Sequence, residues 1–304
     1  SEKKSQEHRV VVIGAGIAGL VAALQLAQKN LSVTLIETAA APGGKMRQLI
    51  VDGAPIDSGP TVFTMRWVFE QIYANAGARL EEELNLTALP VLARHAWGPD
   101  ERMDLFANPA HSRDAIARFA GQAEAARFMK FCKQARELYN TLEGPFIRSQ
   151  SPTLASMAGD LGLRGLSVLA ALGPLRSLWN TLGEHFHDPR MRQLFARYAT
   201  YCGSSPWQAP ATLMLITQVE LDGVWSVQGG MHALAQSLAN LAQRKGVTIR
   251  YETRCEHIET HAGKVSGVRL QNGEVLAAES VVFNGDVSAL GQGLLGDAVH
   301  KAAA

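Results

Sequence analysis

The sequence predicts an α/β protein in which a parallel-sheet domain is interrupted by a long, largely helical insertion. Three observations carry this. The β-branched run Val10-Val11-Val12-Ile13 leads directly into Gly14-Ala15-Gly16-Ile17-Ala18-Gly19 and then into a helical pattern. Residues 224–286 return to strand patterning with hairpin signals. Between these two parts, leucine and phenylalanine recur at helical spacing. The chain of 304 residues is 47% hydrophobic and 19% charged, a balance that supports a buried core rather than disorder.

The first part reads as a βαβ unit. Val10–Ile13 has the composition of a strand buried on both faces. Gly14 supplies a tight turn, and Gly16 lets a pyrophosphate approach the backbone. Gly19 lets the helix pack closely on the strand. Leu20, Ala23, Leu24 and Ala27 form one helical stripe, Asn30 stops the helix, and Val33–Ile36 is the second strand, ending at Glu37. A Rossmann-like domain of this kind places N–H groups around Gly16, Ile17, Ala18 and Gly19 against the phosphates. Glu37 should accept the ribose hydroxyls and repel a 2′-phosphate, which disfavours NADP. The uncharged run Val10–Ala27 is about long enough to tempt a membrane-span reading, but the fingerprint glycines argue against it.

Two short segments follow: Ala41-Pro42-Gly43-Gly44-Lys45 and Asp57-Ser58-Gly59-Pro60-Thr61. Taken alone, Gly43-Gly44 also reads as an ordinary loop. Together with the acid at position 37, the segments resemble the FAD-dependent amine oxidase and phytoene desaturase superfamily. Its members carry Gly-Gly-Arg/Lys just after the ribose acid, then Asp-x-Gly near the flavin. The resemblance implies FAD as cofactor, with Gly43, Gly44, Lys45, Gly59, Pro60 and Thr61 among its contacts. It turns the fold prediction into a Rossmann-like FAD-binding domain with an inserted, largely helical substrate or cap domain. The expected divisions are 1–75 and 224–290 for the FAD-binding parts, 76–223 for the insertion and 291–304 for a tail.

In residues 224–290, Val224–Val227 precedes Gly229-Gly230-Met231 and a helix bearing Leu234, Leu238 and Leu241. Val247–Tyr251 and Cys255–Thr260 read as strands, and Ala262-Gly263 and Asn272-Gly273 as hairpin turns. Val281–Phe283 is a further buried strand, closing on Asn284-Gly285-Asp286-Val287. By the resemblance, the peptide at Cys255 contacts the adenine and Asp286 lies at the cofactor. Cys255 is not expected to be a redox thiol.

In the insertion, residues 112–143 predict one long helix with Ile116, Phe119, Phe128, Phe131, Leu138 and Leu142 along a face. Residues 154–182 are leucine-rich, with Leu172, Leu175, Leu178, Trp179 and Leu182 flanked by arginines. Two readings stay open: a buried cap helix, or a peripheral membrane contact through residues 161–182. His185 and His187 are two apart and fall on different faces of a helix, so no metal site is expected.

Gly59-Pro60-Thr61-Val62-Phe63-Thr64-Met65-Arg66-Trp67, Thr212-Leu213-Met214-Leu215, Asp222-Gly223-Val224-Trp225 and Gly229-Gly230-Met231 are similar to the carotenoid (phytoene) desaturase family. Within it the chain most resembles the hydroxyneurosporene (methoxyneurosporene) desaturases of purple bacteria, which act on 1-hydroxy carotenoids at carbons 3 and 4. This implies a hydrophobic carotenoid substrate, oxygen or quinone as electron acceptor, and a role in carotenoid biosynthesis in a photosynthetic bacterium. Arg164 falls at the offset of a cap-domain Arg implicated in catalysis in the family, and Asp160 is displaced by one residue from its Asp. Surface charge on an amphipathic helix is the competing reading of both. Phytoene desaturase, flavin amine oxidase and a non-catalytic prenyl-lipid carrier remain alternatives. Family members continue well past this length into a segment that closes on the flavin, so a truncated C-terminus with an incomplete flavin site is expected.

The net charge of +1 gives no support to nucleic acid as a partner. Cys132, Cys202 and Cys255 are odd in number and form no CxxC pair. They suggest neither a disulfide framework nor a zinc ribbon, but a reducing compartment: the cytoplasm, with the inner photosynthetic membrane as a peripheral site.

Overall fold

The structure is a computed structural model and describes residues 8–148 and 176–303. The chain divides into two compact units, residues 1–87 with 225–304, and residues 88–224.

The first unit opens with β1 (Arg9–Ile13), α1 (Ile17–Ala27) and β2 (Ser32–Ile36). A hairpin of β3 (Gln48–Val51) and β4 (Ala54–Asp57) follows, then α2 (Arg66–Asn75), α3 (Leu80–Glu83) and β5 (Leu86–Ala88). The second unit contains β6 (Val91–Ala96), β7 (Arg102–Phe106), α4 (Pro109–Ala120), α5 (Gln122–Leu142), α6 (Leu178–His185), α7 (Pro189–Ala196) and α8 (Ile216–Leu221). The chain then returns to the first unit with β8 (Trp225–Val227), α9 (His232–Arg244), β9 (Thr248–Arg250) and the meander β10 (Cys255–His261), β11 (Lys264–Leu270), β12 (Val275–Ala277). It ends with β13 (Ser280–Phe283), α10 (Ser288–Gly291) and α11 (Asp297–Ala303).

The main sheet of the first unit has the order β13-β1-β2-β9, and each neighbouring pair is parallel. The unbroken β-branched run of β1 follows from its position inside this sheet. Val10 and Val12 pack with Leu20 and Leu24 of α1 and Leu234 and Leu238 of α9. Val11, pointing the other way, packs with Val268 and Leu270 of the meander. Both faces are therefore covered, and no polar residue fits in the alternation. Burying each such aliphatic side chain is worth about 1.5–3 kcal/mol. Ala262-Gly263 and Gly273 turn the meander at positive φ.

In the second unit, the single helix expected over residues 112–143 is two helices. Gly121 sits at φ 94°, a value L side chains rarely adopt, so α4 ends there and α5 begins. The start of α4 is set by Asn108, whose side chain accepts from the Ala110 N–H at 2.9 Å, and by Pro109 in the first turn. Phe128 and Phe131 of α5 pack against Phe186 and Phe195 in a fully buried aromatic cluster, with Phe131–Phe195 centroids 4.7 Å apart. Leu178 and Leu182 of α6 point into the same core. The described end of the leucine-rich stretch therefore buries its apolar side, as a cap helix does; the remainder of that membrane-contact reading lies outside the described residues. Among the described residues, no helix is long and apolar enough to cross a membrane.

Arg9 and Glu279 join the starts of β1 and β13. The Glu279 carboxylate accepts from the Arg9 guanidinium at 2.6 Å and from its backbone N–H at 2.7 Å. These bonds, the guanidinium first, hold its pKa down at about 2. Because the folded-state pKa is depressed, the contribution is present above the ordinary value near 4.5 and disappears as pH falls through about 2. Thermal melts of the wild type and Glu279→Gln at stepped pH should show a deficit in the variant at pH 7 that narrows below pH 4. A deficit independent of pH would contradict this role.

Candidate functional site: a glycine-lined cradle at the sheet's carboxyl edge

The turn after β1 is held on both sides. Gly14 N–H donates to Ile36 O on β2 at 2.8 Å, and Asn284 N–H, just past β13, donates to Ile13 O at 2.8 Å. Asn284 also lays its side-chain amide against the turn, donating to Gly14 O at 3.3 Å. The three fingerprint glycines answer to this crowding. Gly14 has φ 102°, and a Cβ there would lie 3.0 Å from Asn284 O. A Cβ at Gly16 would lie 3.0 Å from Asn284 Nδ2, and one at Gly19 only 2.0 Å from Gly14 O. The first turn of α1 has no side-chain cap and no acidic residue. Its N–H groups at Ile17, Ala18 and Gly19 lack partners one turn back, so with the helix dipole they are suited to an anion.

Glu37 directly follows β2. Its Oε2 accepts from Ala15 N–H at 2.7 Å, and its Oε1 accepts from Ala39 N–H at 2.8 Å. The Thr38 hydroxyl donates to Oε1 at 3.1 Å. Glu37 therefore shapes the loop as well as offering acceptor capacity, since a carboxylate has about four lone-pair sites. Its own backbone ties in the second half of the unit: Glu37 N–H donates to Arg250 O at 2.9 Å, and Thr253 N–H donates to Glu37 O at 2.8 Å. This sets the segment before Cys255 beside the acid. Cys255 is half-buried, and burial pushes its thiol up to about 11, so it is a protonated thiol at neutral pH.

Gly43 and Gly44 form a second wall. Gly43 N–H donates to Ala15 O at 2.8 Å, and Gly16 and Gly43 form a parallel bridge. Their φ values are 128° and 58°; a Cβ on Gly44 would sit 3.2 Å from Gly16 Cα. Lys45 continues the wall. Gly59 packs so closely on it that a Cβ would lie 2.0 Å from Lys45 O. Pro60 and Thr61 follow on an exposed loop. Asp286 is exposed, and its carboxyl is held below the usual range chiefly by the Ser288 N–H at 2.9 Å, with a smaller contribution from the Lys45 charge. Lys45 and Asp286, far apart in sequence, thus come within electrostatic reach.

Two residues gain roles the sequence did not reveal. Asn284 was legible only as part of a terminal motif, yet it packs on all three fingerprint glycines. Asp57 accepts the Met231 N–H at 2.6 Å and so joins the β3–β4 hairpin to the start of α9. A Cβ on Gly230 would lie 2.4 Å from Asp57 Oδ2, so the Gly229-Gly230 turn makes room for this carboxylate. The other oxygen, Oδ1, is buried without a partner. Asp160 and Arg164 lie outside the described residues. Among the described residues, no cluster of His, Cys, Asp and Glu could hold a metal ion. His185 packs against Phe131 with its pKa pushed down to about 4, first by burial and then by Lys130, while His187 uses its backbone N–H to reach Glu124.

A cradle of crowded glycines, uncapped helix N–H groups and a ribose-type acid fits a dinucleotide. The flavin containing amine oxidoreductase model matches residues 17–304, and the chain belongs to that family. It is 62% identical over 98% of its length to a hydroxyneurosporene desaturase of Rubrivivax gelatinosus, covering 57% of that protein. It is 42% identical over 97% of its length to a hydroxyneurosporene desaturase of Cereibacter sphaeroides, covering 59% of it. The chain thus spans less than two thirds of these curated relatives. Among solved structures it resembles an oxidoreductase of Methanosarcina mazei, with a TM-score of 0.63 at 16% identity over 94% of this chain and 61% of the other. That likeness concerns the fold.

The cradle makes two predictions. Gly19→Ala must push α1 away from Gly14 O; the variant should remain folded by circular dichroism with a lowered melting temperature and lose retention of added FAD through gel filtration. Glu37→Ala strips the acceptor from the Ala15 and Ala39 N–H groups. A loss of about 1–3 kcal/mol is expected in urea unfolding, and a loss below about 0.3 kcal/mol would show that the carboxylate does not hold the loop.

Proposed function

We propose that this protein is an FAD-dependent carotenoid desaturase, acting by 3,4-desaturation on a 1-hydroxy carotenoid of the hydroxyneurosporene type. The observation that carries this is the 62% identity, along 98% of the chain, to the hydroxyneurosporene desaturase of Rubrivivax gelatinosus. The intact Gly14, Gly16, Gly19 and Glu37 set supports FAD as the ligand.

In this reading the N–H groups of Gly16, Ile17 and Ala18 carry the pyrophosphate, and Glu37 takes the ribose hydroxyls. Gly43, Gly44 and Lys45 line the opposite wall, with the cationic side chain of Lys45 favouring the phosphate charge. Gly59, Pro60, Thr61 and Asp286 border the flavin end, and the Cys255 peptide borders the adenine. Bound FAD supplies the hydride acceptor for a reaction that removes a hydride and a proton from neighbouring saturated carbons. Asp160 and Arg164 are proposed to handle the proton, and oxygen or a quinone to take the electrons onward. The residues 88–224 unit, with its core of leucine and phenylalanine, is assigned to the carotenoid. Three free cysteines fit a reducing, cytoplasmic setting.

The test is FAD reconstitution of a protein with the full length of the curated relatives, followed by anaerobic titration. Flavin bands that bleach with 1-hydroxyneurosporene, but not with phytoene or a primary amine, are expected. Absence of flavin bands would remove the enzyme reading; bleaching by amines alone would replace the substrate.

A further inference from the structure

Within the unit of residues 88–224, a cavity of about 550 Å³ lies between the β6–β7 hairpin and α4. Strand and helix geometry decide what lines it. In β7, Met103 and Leu105 are buried in the core, so Arg102, Asp104 and Phe106 share the opposite side. In α4, Arg118 and Phe119 stand three and four residues after Ala115, and the three share one side of the helix. Both sets face the cavity, as do Arg94 of β6 and Asp100 of the hairpin loop.

The charges around this cavity sort into pairs with a remainder. Asp104 lies opposite Arg94 across the hairpin. Its Oδ1 accepts from Arg94 Nε at 2.7 Å, and its Oδ2 accepts from Arg94 Nη2 at 2.8 Å. Both oxygens of that carboxylate are committed. The neighbouring acids are committed elsewhere: Glu101 accepts from Arg190 at 2.7 Å, and Asp114 accepts from Arg113 at 2.7 Å. Arg102 and Arg118 are exposed on the cavity wall and have no ion pair among the described residues. Asp100 has none either, so the free charge is two guanidiniums against one carboxylate. A guanidinium stays charged at any physiological pH, and its planar fork of donors matches phosphate oxygens.

The apolar side of the cavity is fixed in advance. Arg190 Cζ stands 4.1 Å from the centre of the Phe119 ring, and the Trp97 ring lies 5.1 Å from it on centroids. Arg190 is itself anchored by Asp188 at 2.7 Å. Phe106 meets His111 edge-on at 5.9 Å. Free cations beside a preset aromatic wall suit an anion that carries an apolar part.

We propose that this cavity binds the phosphate group of an amphiphile, with Arg102 and Arg118 on the phosphate oxygens and Phe106 and Phe119 against the apolar part. The aromatic wall favours a phospholipid over free phosphate as the source. Asp100 opposes the anion and limits the affinity. The inference stands independently of the carotenoid reading.

Flotation of the full chain with vesicles, at fixed ionic strength, tests it. Vesicles of phosphatidylcholine and phosphatidylglycerol in equal parts should carry the protein, and vesicles of phosphatidylcholine alone should carry far less. Arg102→Gln and Arg118→Gln should each lower the partition coefficient on the anionic vesicles about fivefold, and Asp100→Asn should raise it. Arg113→Gln removes the same charge from α4 away from the cavity and should leave partitioning nearly unchanged. Melting curves check that the variants stay folded. Equilibrium dialysis against inorganic phosphate separates the sources, and no more than weak binding is expected there. A loss in Arg113→Gln equal to that in Arg102→Gln would reduce the effect to diffuse attraction and overturn the site, as would flotation unmoved by the Arg102 and Arg118 substitutions. Tight binding of inorganic phosphate without flotation on either vesicle would overturn the amphiphile, and neither flotation nor phosphate binding would overturn the proposal whole.

Discussion

The approach of α1 to the end of β1 governs the cofactor end of this protein. A side chain at position 19 would place its Cβ 2.0 Å from the carbonyl of Gly14. That separation brings the uncapped helix start directly over the strand's carboxyl end. If the helix stood further out, its N–H groups would no longer converge on one anion position, and the neighbouring segments would lose their anchor. The carbonyl of Ala15, for example, is what the Gly43 N–H binds. Close approach therefore precedes binding in the causal order: steric permission at Gly14 and Gly19, then helix position, then charge.

Three other stretches of chain gather around this turn. Glu37 bonds the backbone at Ala15, Gly43 and Gly44 pack on Gly16, and Asn284 covers the glycines from the β13 side. Asp57 extends the set by fastening the hairpin to the start of α9. Most of these contacts are made by backbone groups or by side chains acting on backbone. Such a site tolerates little change in φ or Cβ, because its shape is carried by the main chain rather than by replaceable side chains.

Much of this was legible in the sequence, and the reasons are local. The strand, glycine turn, helix and second strand follow one another within a single βαβ unit, and spacing alone marks the unit. The alternation of Val10, Val11 and Val12 between two cores follows from strand geometry. The partition of residues 112–143 into two helices was missed because apolar spacing continues across Gly121. Periodicity reports the buried face, while the break depends on one backbone angle. Asp57 and Asn284 were missed as structural agents for a different reason. Their partners, Met231 and Gly14, lie 174 and 270 residues away, and no local pattern encodes a contact of that range. The same holds for the Arg197–Glu220 pair, formed between two helical segments with no motif to announce it.

The family membership and the fold agree on a dinucleotide cradle, and the central claim is that this cradle holds the pyrophosphate of FAD. Amide hydrogen exchange with and without FAD measures it segment by segment. The account predicts slowed exchange that is strongest at residues 14–19 and 43–45, with weaker effects near 37, 59–61, 250–255 and 286. Unchanged exchange across residues 14–19 at saturating FAD, or protection located only in the residues 88–224 unit, would contradict it.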